Sequence, residues 1–119
     1  MVNNKITSLS GRKPVELRPG LIKTNLGYND SSMMCHFTMT RGAVLEIHNH
    51  AAVQNGFVLK GRLKYRLADQ NKQVYETGEI GPGGGYIWDA YEYHSTEALE
   101  DAEFIECFNP MRPEYAETE

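Results

Sequence analysis

Turn-forming residues interrupt this chain about every ten positions, and no stretch keeps the 3.6-residue apolar period of a long helix. The breaks fall at Gly27-Tyr28-Asn29-Asp30-Ser31-Ser32, at Arg41-Gly42, at Ala68-Asp69-Gln70-Asn71-Lys72, and across Gly78 to Gly85, which holds five glycines and a proline. Between them lie short candidate strands: Leu21–Leu26, Met33–Thr40, Val44–His48, Gly56–Leu59, Leu63–Leu67, Val74–Thr77 and Phe104–Phe108. The clearest has Leu63, Tyr65 and Leu67 alternating with Arg62, Lys64 and Arg66, the period of a half-buried strand. Many short strands with Gly/Pro turns predict an all-β sandwich or small barrel. At 119 residues without an internal repeat, one domain is expected. Residues 1–20 read as an irregular arm with room for one short strand, 21–115 as the β-domain, and 116–119 as a tail. A loose arm and uncovered edge strands predict a homodimer.

Charge narrows the partners. The net charge is −4 and the pI about 5.6, with no basic block, which argues against nucleic acid or an anionic membrane as partner. No apolar run approaches the roughly 18 residues of a membrane span, and the first residues lack the apolar core of a signal peptide. Cys35 and Cys107 then read as reduced thiols, and a cytoplasmic location is expected.

Two of the four histidines, His48 and His50, are separated by one residue at the end of a candidate strand. In extended chain, residues i and i+2 project from one face roughly 6.5–7 Å apart, so two imidazoles can converge on one cation. Gln54 follows four residues later, before the apolar Gly56-Phe57-Val58-Leu59. A strand, a bend and a returning strand would turn two His and one Gln into the space between.

The positions Gly42, His48, His50, Gln54 and Gly61 resemble the first motif of the cupin superfamily, G-x5-H-x-H-x3,4-E-x6-G, with Gln where Glu is usual. The resemblance implies a single cupin domain, a double-stranded β-helix (jelly-roll) barrel, holding one divalent metal ion. The second motif, G-x5-P-x-G-x2-H-x3-N, matches at Gly83 and His94 but has Asp89, Tyr91 and Ala98 on its other three positions. His94 is the only histidine downstream of the first motif, which makes His48, His50, Gln54 and His94 the expected metal ligands. His36 lies outside both patterns and reads as a surface or pocket-wall residue.

A neutral Gln in place of Glu leaves the full charge on the ion, favouring Lewis-acid work on a carbonyl or hydroxyl oxygen over cycling to a higher oxidation state. Imidazole and amide ligands leave Zn, Ni, Mn and Fe open. The segment Glu106-Cys107-Phe108-Asn109-Pro110-Met111-Arg112 resembles the tail of the small uronate-linearising (KdgF-like) cupins, in which an acidic residue, Phe and Arg recur at this spacing. That resemblance implies Glu106, Phe108 and Arg112 as catalytic residues, with a carboxylated, sugar-like small molecule as substrate. Arg112 presents a fork suited to a carboxylate, and Glu106 can move a proton beside a metal. The bland alternatives are an ion pair of Arg112 with Glu114 or Glu117 and a solvated Glu106 on an edge strand. Tyr86, Trp88, Tyr91 and Tyr93 surround His94 as barrel packing or pocket wall, with Trp88 and Tyr93 the first candidates for mutation. The leading function is a metal-dependent isomerase, ring-opening enzyme or lyase. The alternatives are a cupin dioxygenase or other oxidoreductase, and a binding cupin without turnover.

Overall fold

Ten strands, sorted by the alternation of apolar and polar residues, form two antiparallel sheets in the computed structural model, which describes residues 5–116. In chain order they are β1 (Val15–Arg18), β2 (Leu21–Tyr28), β3 (Met33–Met39), β4 (Val44–His48) and β5 (Val53–Lys60), then β6 (Leu63–Ala68), β7 (Val74–Ile80), β8 (Gly85–Trp88), β9 (Tyr93–Ala98) and β10 (Ala102–Asn109). The six-stranded sheet has the order β1-β2-β3-β10-β5-β8, and the four-stranded sheet β4-β9-β6-β7. Helix among the described residues is limited to a 3₁₀ turn, Leu9–Gly11, and one short helix, α1 (Pro113–Ala116). The all-β jelly-roll expectation holds. No helix among the described residues is long and apolar enough to cross a membrane. Of the expected arm and tail, residues 1–4 and 117–119 lie outside the described residues.

Strand β10 shows how the pattern builds the interior. Ala102, Phe104, Glu106 and Phe108 are buried in alternation with half-buried neighbours, and β3 and β5 pair on its two sides. Phe104 is opposite Phe37 of β3, and their rings stack at 5.2 Å between centroids. With Leu21, Met33, Met39, Val58 and Leu63 they form the core. Each such side chain contributes about 1.5–3 kcal/mol on burial, which makes this packing the main support of the barrel. Cys35 is also buried and free, its thiol pushed up to about 12 by that burial, and Cys107 is free too. Neither forms a disulfide, as the sequence suggested.

Two local departures from the sequence reading have physical causes. β7 continues through Gly78 to Ile80 rather than stopping at Thr77. Gly78 pairs with Tyr65, whose ring occupies the space a Cβ would take (2.8 Å from Cε1), so that glycine serves cross-strand packing and not a turn. Strands β8 and β9 run through the aromatic segment around His94, where β-forming Tyr and Trp outweigh the nearby glycines. His36, expected as a surface or pocket-wall residue, borders an open groove with Met34, Glu103 and Ile105 and is hydrogen-bonded at 2.6 Å to Glu103 of β10.

Candidate metal centre

His48 ends β4, His50 sits in the following bend, and His94 is the second residue of β9. His48 and His94 are cross-strand partners in the β4–β9 pair. The His48–His94 ring centroids are 4.4 Å apart, those of His50 and His94 5.1 Å, and those of His48 and His50 5.5 Å. One ligand nitrogen from each of the three lies within 4.8 Å of the others, a set that can hold a metal ion.

Each imidazole is anchored in the same way. Nδ1 of His48 meets the Glu46 carbonyl at 2.8 Å, Nδ1 of His50 the Ala52 carbonyl at 2.8 Å, and Nδ1 of His94 the Glu92 carbonyl at 2.7 Å. A carbonyl can only accept, so each Nδ1 carries its proton and each Nε2 is left with a bare lone pair. Burial, followed by the neighbouring His48, pushes His94 down to about 3. Burial likewise lowers His48 and His50, so the three rings are neutral near pH 7. The Nε2 of His94 is buried and has no hydrogen-bond partner.

Gln54, the second residue of β5, completes the group. Its Oε1 lies 3.0 Å from Nε2 of His50. With the His50 proton on Nδ1, both facing atoms are acceptors, an arrangement that asks for a cation between them. Two ligands about 2.1 Å from one ion and at right angles lie about 3 Å apart, which the observed spacing matches. The donor set of three neutral imidazoles and one amide oxygen therefore fits a divalent metal.

Behind Gln54 lies the carboxyl of Glu106. Gln54 Nε2 donates to Glu106 Oε2 at 2.7 Å, and the Tyr86 hydroxyl donates to the same oxygen. Burial raises Glu106 to about 7, and the hydrogen bonds from Tyr86 and Gln54 together with the Arg112 charge only partly oppose it. Glu106 is 7 % exposed, so the alternative of a solvated edge residue does not describe it.

Arg112 follows β10 and stacks on Tyr115, its guanidinium carbon 4.0 Å from the ring centroid, and also lies over Phe108 at 5.2 Å. It makes the ion pair with Glu114 foreseen as an alternative, at 3.2 Å, while its buried Nε has no partner. A small internal space of about 10 Å³, room for roughly one water, is bordered by His48, Gln54, Glu106 and Arg112. An open cleft of about 320 Å³ reaches the same His48 and Arg112 from outside, between Arg18, Leu45, Glu114 and Tyr115. Phe108 is 1 % exposed and packs edge-on against His50 at 5.9 Å and Tyr115 at 5.4 Å. Its place is beneath the site, supporting the His50 ring and the guanidinium.

The aromatic run divides between site and rim. Trp88 is buried and stacks with Tyr86 at 5.2 Å and with His94 at 6.2 Å. Tyr93 packs at the rim under Lys72. Tyr91 occupies the position where the second cupin motif has glycine, and its φ of 62° keeps the left-handed backbone that glycine favours. Its N–H donates to the His50 carbonyl at 2.7 Å, and Asn49 Nδ2 donates to its carbonyl at 3.0 Å, tying this turn to the H-x-H bend. Two contacts escaped the sequence reading: Arg18 in the cleft, and the bond from the Tyr86 hydroxyl to Glu106, Tyr86 being expected there only as barrel packing or pocket wall. Neither has a local sequence signal, because β1 and β8 reach the site only through sheet closure.

No protein-family model and no curated protein matches the sequence. Solved structures do match. KdgF from Halomonas sp. superposes with a TM-score of 0.83 at 23 % identity, over 93 % of this chain and 99 % of that one. An RmlC-like cupin from Shewanella frigidimarina gives 0.83 at 17 % identity, over 95 % and 96 % of the two chains. A variant of oxalate decarboxylase from Bacillus subtilis gives 0.78 at 21 % identity, over 92 % of this chain and 30 % of that one. The ten-strand arrangement and these superpositions together identify the chain as a single-domain cupin in fold, similar in structure to KdgF.

Proposed function

We propose that the protein is a metal-dependent isomerase that opens the ring of a 4,5-unsaturated uronate to its linear keto form. The observation that carries this reading is the buried Glu106 carboxyl, placed behind Gln54 and bordering one small space with His48 and Arg112. A carboxyl held near 7 can both take and return a proton at neutral pH. The structural likeness to KdgF and the Glu106, Phe108, Arg112 spacing support the same choice.

His48, His50, Gln54 and His94 would hold the ion. A bound divalent metal supplies Lewis acidity toward a sugar oxygen. Arg112, fixed by stacking on Tyr115, offers its guanidinium to the substrate carboxylate, and Arg18 adds positive charge across the cleft. In the reaction the C1 hydroxyl gives up its proton and the C1–O5 bond breaks as C1 becomes an aldehyde. The electron pair passes to O5, C4 takes a proton, and C5 becomes a ketone, so substrate and product are isomers. Glu106 accepts the first proton and delivers one to C4, returning to its starting state. Phe108 and Tyr115 keep the guanidinium in place under this exchange.

The test is direct. Protein loaded in turn with Zn, Ni, Mn and Fe is mixed with 4,5-unsaturated uronate made by lyase digestion of pectin or alginate. Loss of the ultraviolet absorbance of the conjugated double bond, with the linear keto acid appearing by NMR, is the expected result. Absence of turnover with all four metals would overturn the reading, and oxygen uptake with Fe(II) would favour the oxidoreductase alternative.

A further inference from the structure

Three inward-facing positions form one row across β10, β5 and β8: Glu106 pairs with Gly56, and Gly56 pairs with Tyr86. The next row is Phe108, Gln54 and Trp88. Side chains two strands apart in a sheet are ordinarily separated by the residue between them. Here that residue is glycine, and a Cβ at Gly56 would overlap the Tyr86 ring. The phenol lies across the bare backbone of β5 and reaches the Glu106 carboxyl from the far side.

We propose that Tyr86, admitted by the missing side chain at Gly56, is a positioning residue of the metal centre. Its hydroxyl fixes the Glu106 carboxyl, which in turn holds the Gln54 amide with oxygen toward His50 and nitrogen away. The inference rests on the reading of Gln54 as a ligand. An amide has two nearly isosteric ends, and only the oxygen can bind a cation, so a Gln ligand needs a partner that specifies its orientation. Glu106 Oε2 does this by accepting from Gln54 Nε2 at 2.7 Å, and Tyr86 keeps that oxygen in place. Burial and the adjacent Glu106 push the Tyr86 phenol well above its usual value, so it keeps its proton and acts as donor. A packing role alone would need only the ring, which already stacks on Trp88.

The test is a double-mutant cycle read by Co(II) affinity, from the visible absorption of the bound ion and without any substrate. Tyr86→Phe keeps the ring and removes the hydroxyl, and it is expected to weaken Co(II) binding about 10-fold, the lower end for partners that orient metal ligands. In a Gln54→Glu background the same change is expected to cost less than about 2-fold, because a carboxylate has oxygen at both ends and no wrong orientation. Equal weakening in both backgrounds, or none with Gln54 present, overturns the proposal while leaving Gln54 as a ligand. Unchanged Co(II) affinity and spectrum in Gln54→Ala would sink the ligand reading itself, and the proposal with it.

Discussion

On one side of the candidate centre, His48 and His94 face each other across β4 and β9, and main-chain carbonyls hold their Nδ1 atoms. On the other, Gln54 and Glu106 are held by side chains, Tyr86 among them, on β5, β8 and β10. Backbone anchors move only if a strand moves, whereas a side-chain chain is lost by a single substitution. The two walls also answer protons in opposite senses. Burial lowers the histidines and raises the glutamate, because it penalises whichever form is charged. The histidine side therefore reads as a rigid receptor for a cation and the glutamate side as the adjustable, proton-bearing part.

The largest effect expected from breaking this contrast is His94→Ala, which removes a lone pair that has no other partner. Metal analysis after purification should find the site empty, against near-stoichiometric metal in the wild type. Glu106→Gln should weaken metal binding about 10-fold, because the Gln54 amide loses the carboxylate that orients it, and at saturating metal should lower turnover of the unsaturated uronate about 10²- to 10⁴-fold. Full activity in that variant would remove Glu106 from the chemistry.

Next in size is Phe108→Ala, which should cost about 3–5 kcal/mol in chemical denaturation, since the ring is fully buried beneath both walls. The pH response of the metal-free protein separates the walls. His94 binds its proton less readily folded than unfolded, so its contribution to stability falls as pH drops from about 6.5 toward about 3. Glu106, raised to about 7, binds its proton more tightly folded, so its contribution grows as pH drops from about 7 toward 4.5. Glu106→Gln removes that compensation. Its stability should therefore fall more steeply than that of the wild type on acidification between roughly pH 5 and 6.5. Parallel curves for wild type and variant would show that Glu106 does not titrate in this range. The smallest effect is Tyr91→Gly, which should raise stability by about 1 kcal/mol or less by relieving the left-handed backbone at a half-turn that keeps its main-chain bonds.

Features that depend on local spacing are legible in the residues alone. Alternation at Leu63, Tyr65 and Leu67 placed a strand, and the i, i+2 histidines with Gln54 proposed a cation site, because the two-residue period of extended chain decides which side chains share a face. Lying Arg112 beside Glu114 in sequence was equally legible, and that ion pair forms without removing the guanidinium from the cleft. Contacts made by pairing distant strands arise only once the barrel closes. Glu106, Gly56 and Tyr86 are far apart in the chain, and their row exists because β10, β5 and β8 are neighbours in that register. Gly78 carried a turn signal in the sequence and Gly56 opened a candidate strand, yet both are needed where aromatic rings cross a strand. The near-neutral carboxyl of Glu106 has the same origin. Its elevation comes from desolvation, and the extent of burial is set by what the closed barrel packs around a residue rather than by its neighbours in sequence.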